Sequence, residues 1–432
     1  MTIEFRAFGI WDKAEEAARL SRFLRLALFA ETVEQLDNQN AREVSGLAAA
    51  SKCLSAIPFE NLFSRDCTFF WSALDRYLHQ ASADDDGGKL VQIGRHLNAQ
   101  IFDSFFEAMP RGFHVTLSAD EDTPTVFPEL GIRVEGAYPL TLVKTSDASL
   151  VVEGPGKRME VTIGAVPPHV GLARLAIENT RAQLLLESGS LHATAAYDRS
   201  VMSKLPYADG LRFARDLSDA LVFLDRLDGA IAARIRSRVR WYIPLRSNQN
   251  PNVHMSFSAP KLVGVIFMSK PTANMAAAAF MQFAEVIVHE YAHNELHLLQ
   301  ESDTLFEESP QQFFYSPWRP DPRPLNGLFH GIYSFWHVAE FFRLAEECDA
   351  LAVHKTSLQT ARALVVRQLD VALRQVPSDQ LCPRGEEIIS AIRKGVVAEL
   401  VDMGRRAGQA SNYIETHIEK WKANNPTYAH VP

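Results

Sequence analysis

The chain has 432 residues, 47% hydrophobic and 22% charged, the make-up of a folded globular protein long enough for two or three structural units. Its 44 basic and 52 acidic side chains leave a net charge of −8 with both signs scattered. There is no basic stripe to neutralise phosphates, and no nucleic-acid partner is expected.

The four cysteines, Cys53, Cys67, Cys348 and Cys382, show neither CxxC nor paired spacing and read as buried, reduced thiols. The first residues lack a basic start followed by an apolar run, and the Ala-rich stretch from Ala276 is broken by Gln282 and Glu285 before reaching membrane length. A cytoplasmic location away from membranes is the expectation. The pattern is silent on oligomeric state.

In chain order, residues 1–110 carry helical periodicity, with Leu20, Phe23, Leu24, Ala27 and Leu28 on one face, interrupted by a solvated loop at Ala83–Gly88. Residues 111–200 read as β-rich, with short runs such as LTLVKT, SLVVEG and RMEVTIG and a hairpin at Gly154-Pro155-Gly156. Residues 201–350 form a third segment: a helical stretch from Asp209, the strands WYIPL, VHMSFSA and LVGVIFMS, a helix starting near Pro271 or Thr272, and another from Leu325 to Cys348. Residues 351–432 read as helices with a frayed tail. The fold class is α+β, mainly helical, with a small antiparallel β region flanked by helical N- and C-terminal segments.

The chemistry is concentrated in FAEVIVHEYAHNELHLL. His289 and His293 are four positions apart, so on a helix both imidazoles project from one face one turn apart and can reach a single cation. Glu290 follows the first histidine and can approach bound water without being a ligand. A chance HExxH is expected in roughly 0.03 chains of this composition. His297 continues the row, but three such positions spread over roughly 12 Å of helix, too far for one ion. A third ligand must come from elsewhere. The helix GLFHGIYSFWHVAEFF offers His330 first, with His337 and Glu340 as alternatives.

An HExxH helix preceded by a strand and followed by a second ligand-bearing helix resembles the zincin architecture, which implies a zincin-like core. The following segment turns the reading away from hydrolysis. Pro317-Trp318-Arg319, Asp321-Pro322-Arg323-Pro324 and Gly327-Leu328-Phe329-His330 resemble the signature of the HExxH-type, 2-oxoglutarate-dependent peptide β-hydroxylases that act on ribosomally made precursor peptides. The resemblance covers residues 285–345. This chain departs from the common pattern at Tyr291, Ala292, Glu295, His297 and Pro320, which touches the peptide substrate more than the metal.

The resemblance implies Fe(II), 2-oxoglutarate and dioxygen, with a precursor peptide as partner. A guanidinium can grip the distal carboxylate of 2-oxoglutarate, a role that falls first to Arg323 and second to Arg319. The competing role for either arginine is an ion pair with Glu307, Glu308 or Asp321. The alternative function is a zinc metallopeptidase with Glu290 as general base, and a third is a non-catalytic peptide-binding protein.

Overall fold

The computed structural model describes residues 68–428 except 83–86, 118–124, 135–139, 155–156, 164–170, 173, 179, 187–204, 246–253, 270–278, 308, 310 and 405–406. Of the first 67 residues it describes positions 22, 25, 26, 28, 29 and 54. Most of the N-terminal helical reading, the loop before Gly87 and the start of the motif helix therefore lie outside the described residues. Within the first apolar face, Leu28 is exposed at 51%, whereas the adjacent Phe29 is buried edge-on against Tyr77. Leu28 thus differs from the expectation, and Leu20, Phe23, Leu24 and Ala27 lie outside the described residues.

The described residues are mainly helical with small sheets, in keeping with α+β, and they fall into two compact units. The first comprises residues 18–218 and 236–277. Its helices α1 (Thr68–Ser82) and α2 (Gly87–Ser104) precede the strands. An antiparallel sheet in the order β1-β4-β5-β6 is built from His114–Leu117, Leu140–Ser146, Ser149–Gly154 and Lys157–Thr162. The β5/β6 ladder closes at Gly154 opposite Lys157, so the expected hairpin forms across the two positions 155 and 156. Alternation sends Leu140 and Leu142 into a core with Phe102, Phe105 and Phe113.

A three-stranded antiparallel sheet joins β2 (Thr125–Phe127), β3 (Ile132–Val134) and β7 (Gly171–Leu172). The third sheet has the order β11-β12-β10-β9-β8, from Ser256–Phe257, Val265–Ser269, Trp241–Leu245, Gln183–Leu185 and Arg174–Ala176. Here β10 pairs parallel with both β12 and β9, so this sheet is mixed rather than antiparallel throughout. WYIPL and VIFMS are buried at every position, the continuous apolar run of a strand covered on both faces.

The second unit comprises residues 219–235 and everything described from 278 onward, leaving aside residues 1–17, which are not described. The expected four segments regroup: the strands 241–269 belong with the earlier sheets, and the motif helix belongs with the C-terminal helices. Local periodicity marks elements, whereas contacts between distant residues decide which share a core. Helix α3 (Tyr207–Leu227) ends at Asp228, whose Oδ1 accepts from the backbone N–H groups of Ala230 and Ile231 and starts α4 (Gly229–Arg238). The motif helix α5 is Ala279–Ser302, and α6 spans Leu325–Glu347 with Cys348 as its C-cap.

Helices α7 (Lys355–Gln375), α8 (Pro383–Met403) and α9 (Ala407–Asn424) complete the unit. Arg362 of α7 is 5% exposed and meets Glu346 at 3.0 Å, Glu399 through Nε at 2.7 Å and Asp402 at 3.2 Å, tying α6, α7 and α8 together. A buried guanidinium is tolerable because its N–H groups meet acceptors. Gly385 lets α8 pass against the Leu305 carbonyl, where a Cβ would come within 1.9 Å of the oxygen. Cys348 and Cys382 are free thiols, half-buried rather than buried. No helix among the described residues is long and apolar enough to cross a membrane.

Candidate metal centre

Helices α5 and α6 pack together along buried Ile287, Ala292, Leu296, Leu328 and Ile332. On α5, His289 and His293 present their Nε2 atoms to each other at 3.1 Å. Two imidazole nitrogens each about 2.0 to 2.1 Å from one ion stand about 3.0 to 3.4 Å apart, so this separation suits a shared cation, as it also suits an N–H···N hydrogen bond between the rings. Burial pushes the pKa of both imidazoles down, with neighbouring histidines adding to the effect, and both are neutral at pH 7 with a lone pair to offer. Both residues are half-buried.

The structure brings His330 to this pair, but at the other nitrogen. His330 Nδ1 lies 3.1 Å from His293 Nδ1, while His330 Nε2 lies 2.9 Å from Gln300 Oε1. Gln300 uses its amide N–H on Asn326 Oδ1 at 3.0 Å, so its oxygen is the acceptor and His330 Nε2 carries the proton. His330 Nδ1 is then the acceptor for His293 Nδ1–H, which leaves the His293 lone pair on Nε2, facing His289. One imidazole cannot offer both nitrogens to one ion. His330 therefore meets His293 at the nitrogen that faces away from His289, whereas a third ligand was expected to share the side of the two Nε2 atoms. Among the described residues no group of three His, Cys, Asp or Glu side chains is arranged around a common point.

Of the other candidates, His337 lies close enough to His289 and His293 to help lower both their pKa values, after the larger effect of burial. His337 donates from Nδ1 to the Tyr333 carbonyl at 2.9 Å and sets Nε2 3.6 Å from Glu295 Oε2. Glu340 accepts from Arg343 Nη2 at 3.2 Å. His297 packs its ring 4.6 Å from that of His330. Glu290 is 2% exposed, and its backbone carbonyl accepts from Asn294 Nδ2 at 2.9 Å.

The loop 313–324 lies over the open side of α6. Phe314 and Arg323 pair through their backbones at 2.8 and 3.0 Å, closing the loop on itself. Two glycines one helical turn apart receive its side chains: a Cβ at Gly327 would come within 2.9 Å of Arg323 Nε, and one at Gly331 within 2.8 Å of the Trp318 ring. Trp318 stacks on Phe335 at 4.6 Å with ring planes 4° apart, and Phe335 stands 4.7 Å edge-on from His289. Arg323 Nη1 binds Asp321 at 3.0 Å and is close enough to His330 to help depress its pKa, after the larger effect of burial. Arg319, 58% exposed, reaches the same Asp321 at 3.4 Å. The anticipated ion-pair partner is thus Asp321, shared by both arginines.

Sequence reading missed what fixes this loop. Gln375 and Gln368, two turns apart on α7, act like a short strand beside it. Gln375 accepts from Tyr315 N–H at 3.0 Å and donates to the Tyr315 carbonyl at 3.1 Å. Gln368 accepts from Trp318 Nε1 at 3.1 Å and donates to the Pro317 carbonyl at 3.1 Å. Their i, i+7 spacing was a visible signal, but nothing local distinguished these amides from surface glutamines. Gln368→Ala leaves an indole N–H and a carbonyl unmet. The expected cost is about 1 to 3 kcal/mol in denaturant unfolding, with faster amide exchange confined to residues 315–319. Exchange unchanged in that segment would reject the clamp. Glu285, one turn before His289, was also passed over; burial pushes its carboxyl up to about 7.

No family model matches the chain, and no curated protein is significantly similar to it.

Proposed function

We propose that the protein is an Fe(II)- and 2-oxoglutarate-dependent dioxygenase that hydroxylates the β-carbon of a residue in a ribosomally made precursor peptide, with α5 and α6 as a zincin-like core. The observation that carries the reading is the His289/His293 nitrogen pair at shared-cation spacing with a guanidinium-bearing loop laid beside it. Neutral imidazole nitrogens suit iron(II) as well as zinc. Two of the side chains present therefore suit the metal, no third protein ligand joins them among the described residues, and the arginine-bearing loop is what favours the keto acid.

In this reading His289 and His293 bind the iron, and His330 keeps His293 in the tautomer with its lone pair on Nε2. Arg323 receives the distal carboxylate of 2-oxoglutarate with the donors that Asp321 leaves open. Trp318 and Phe335 form an apolar wall beside His289 that excludes water from one side of the reacting centre. The bound iron with 2-oxoglutarate and dioxygen supplies the oxidising power, and the protein supplies binding and orientation.

The test is anaerobic reconstitution with Fe(II) and 2-oxoglutarate, followed by optical spectroscopy and a succinate assay after air is admitted. Arg323→Ala is expected to raise the 2-oxoglutarate requirement about 10- to 100-fold while sparing iron affinity, since a charged hydrogen-bond partner is lost and no ligand is. The same loss in Arg319→Ala, with Arg323→Ala unchanged, would transfer the role to the exposed arginine. Substrate oxidation by the parent protein that needs no 2-oxoglutarate, or no succinate formed from added 2-oxoglutarate, would reject the reading.

A further inference from the structure

The β-containing unit carries a cavity of about 400 Å³, the size of a small-ligand site, walled by Asp103, Glu129, Leu130, Ile163, Arg174 and Arg240. Its inner acceptors are taken. Asp103, 2% exposed, receives the backbone N–H of Glu129 on one oxygen at 3.0 Å and that of Leu130 on the other at 2.9 Å. Glu129 pairs with Arg240 through Nη2. At the rim, Asp147 binds Lys144 at 2.9 Å.

The donors are not all taken. Arg240 Nε is buried without a hydrogen-bond partner. Arg174 has no hydrogen bond or ion pair among the described residues. It passes over Gly131, whose φ of 72° and missing Cβ make the room; a Cβ there would come within 2.9 Å of Arg174 Nε. Desolvation lowers the Arg174 pKa, and the nearby Glu129 and Asp103 offset part of that shift. Four carboxyl residues, Asp103, Glu107, Glu129 and Asp147, share the lining with the two arginines, and the Asp103 oxygens and Glu129 are already engaged, which leaves guanidinium N–H groups as the open donors.

We propose that this cavity is a second binding site, for a small organic anion whose carboxylate or phosphate is held by the Arg174 and Arg240 guanidinium groups while its apolar body rests on Leu130 and Ile163. The site is independent of the metal centre.

The experiment is calorimetric titration of the full chain with phenylacetate, phenyl phosphate and, as a cationic control, phenethylamine. Saturable one-site binding of at least one anion is expected, with none of the amine; which anion binds identifies the head group. Arg174→Gln is expected to weaken that binding about 10- to 100-fold, with Arg174→Lys in between because charge survives without the planar fork. Ile163→Trp, which fills the cavity without touching the arginines, gives a second reading should Arg174→Gln fail to fold. Arg323→Ala separates this site from the metal centre and should leave the titration unchanged. No saturable binding of either anion, binding that survives both Arg174→Gln and Ile163→Trp, or binding lost in Arg323→Ala would overturn the proposal.

Discussion

His289→Ala and His293→Ala are each expected to abolish stoichiometric metal binding while leaving the helical circular dichroism intact. The two Nε2 atoms stand 3.1 Å apart, so either truncation leaves one imidazole where a chelate had been. Both residues are half-buried rather than part of the closed core. His330→Ala gives the sharper reading. As an orienting partner on the far nitrogen of His293, its loss should weaken metal affinity about 10- to 100-fold without abolishing it, the usual effect of removing the group that fixes a ligand's tautomer. Metal content measured on purified protein after titration with Fe(II) or Zn(II) distinguishes the two. Complete loss in His330→Ala would make it a ligand after all, and full stoichiometric metal in His289→Ala would remove the motif from the site.

Glu290→Gln carries the second large effect, because it separates the two enzyme classes. The amide keeps the size of the buried side chain but cannot take a proton. In a zinc peptidase the carboxylate accepts a proton from the attacking water, and its removal costs roughly 10²- to 10⁴-fold in rate. In the proposed hydroxylase Glu290 has no obligatory proton to take, and the expected result is a modest loss with an unchanged product, the peptide heavier by one oxygen atom. Mass spectrometry of peptide incubated with Fe(II) and 2-oxoglutarate, and separately with Zn(II), reads both outcomes. Cleaved peptide from the parent with zinc, lost in Glu290→Gln, together with no oxygen added under iron, would decide for the peptidase.

Much of the secondary structure was legible because it is written in periodicity. The alternation in LTLVKT and SLVVEG appears as paired strands with Leu142 opposite Val152, and the Leu325–Cys348 helix ends where Cys348 caps it. The i, i+4 spacing of His289 and His293 is likewise a local property, and any α-helix sets such rings on one face. Short strands such as Gly171–Leu172 and Arg174–Ala176 were missed because two or three residues carry no period. Leu28, expected on the apolar face, is exposed while Phe29 is buried, because a helix's apolar stripe is wide and only its packing partner settles which residue turns inward.

The sequence by itself determined the helices, most strands, the histidine pair and the arginine-bearing loop, because each depends on neighbours within a few positions. The tertiary structure decided which nitrogen of His293 meets His330, since that follows from Gln300 and Asn326 on two different helices fixing the His330 proton. It also decided that Gln368 and Gln375 grip the loop, and that Asp103, Glu129, Arg174 and Arg240 wall one cavity. These groups come together only when a core closes over residues tens of positions apart, and what matters there is the direction in which a polar atom points, which hydrophobic periodicity does not encode.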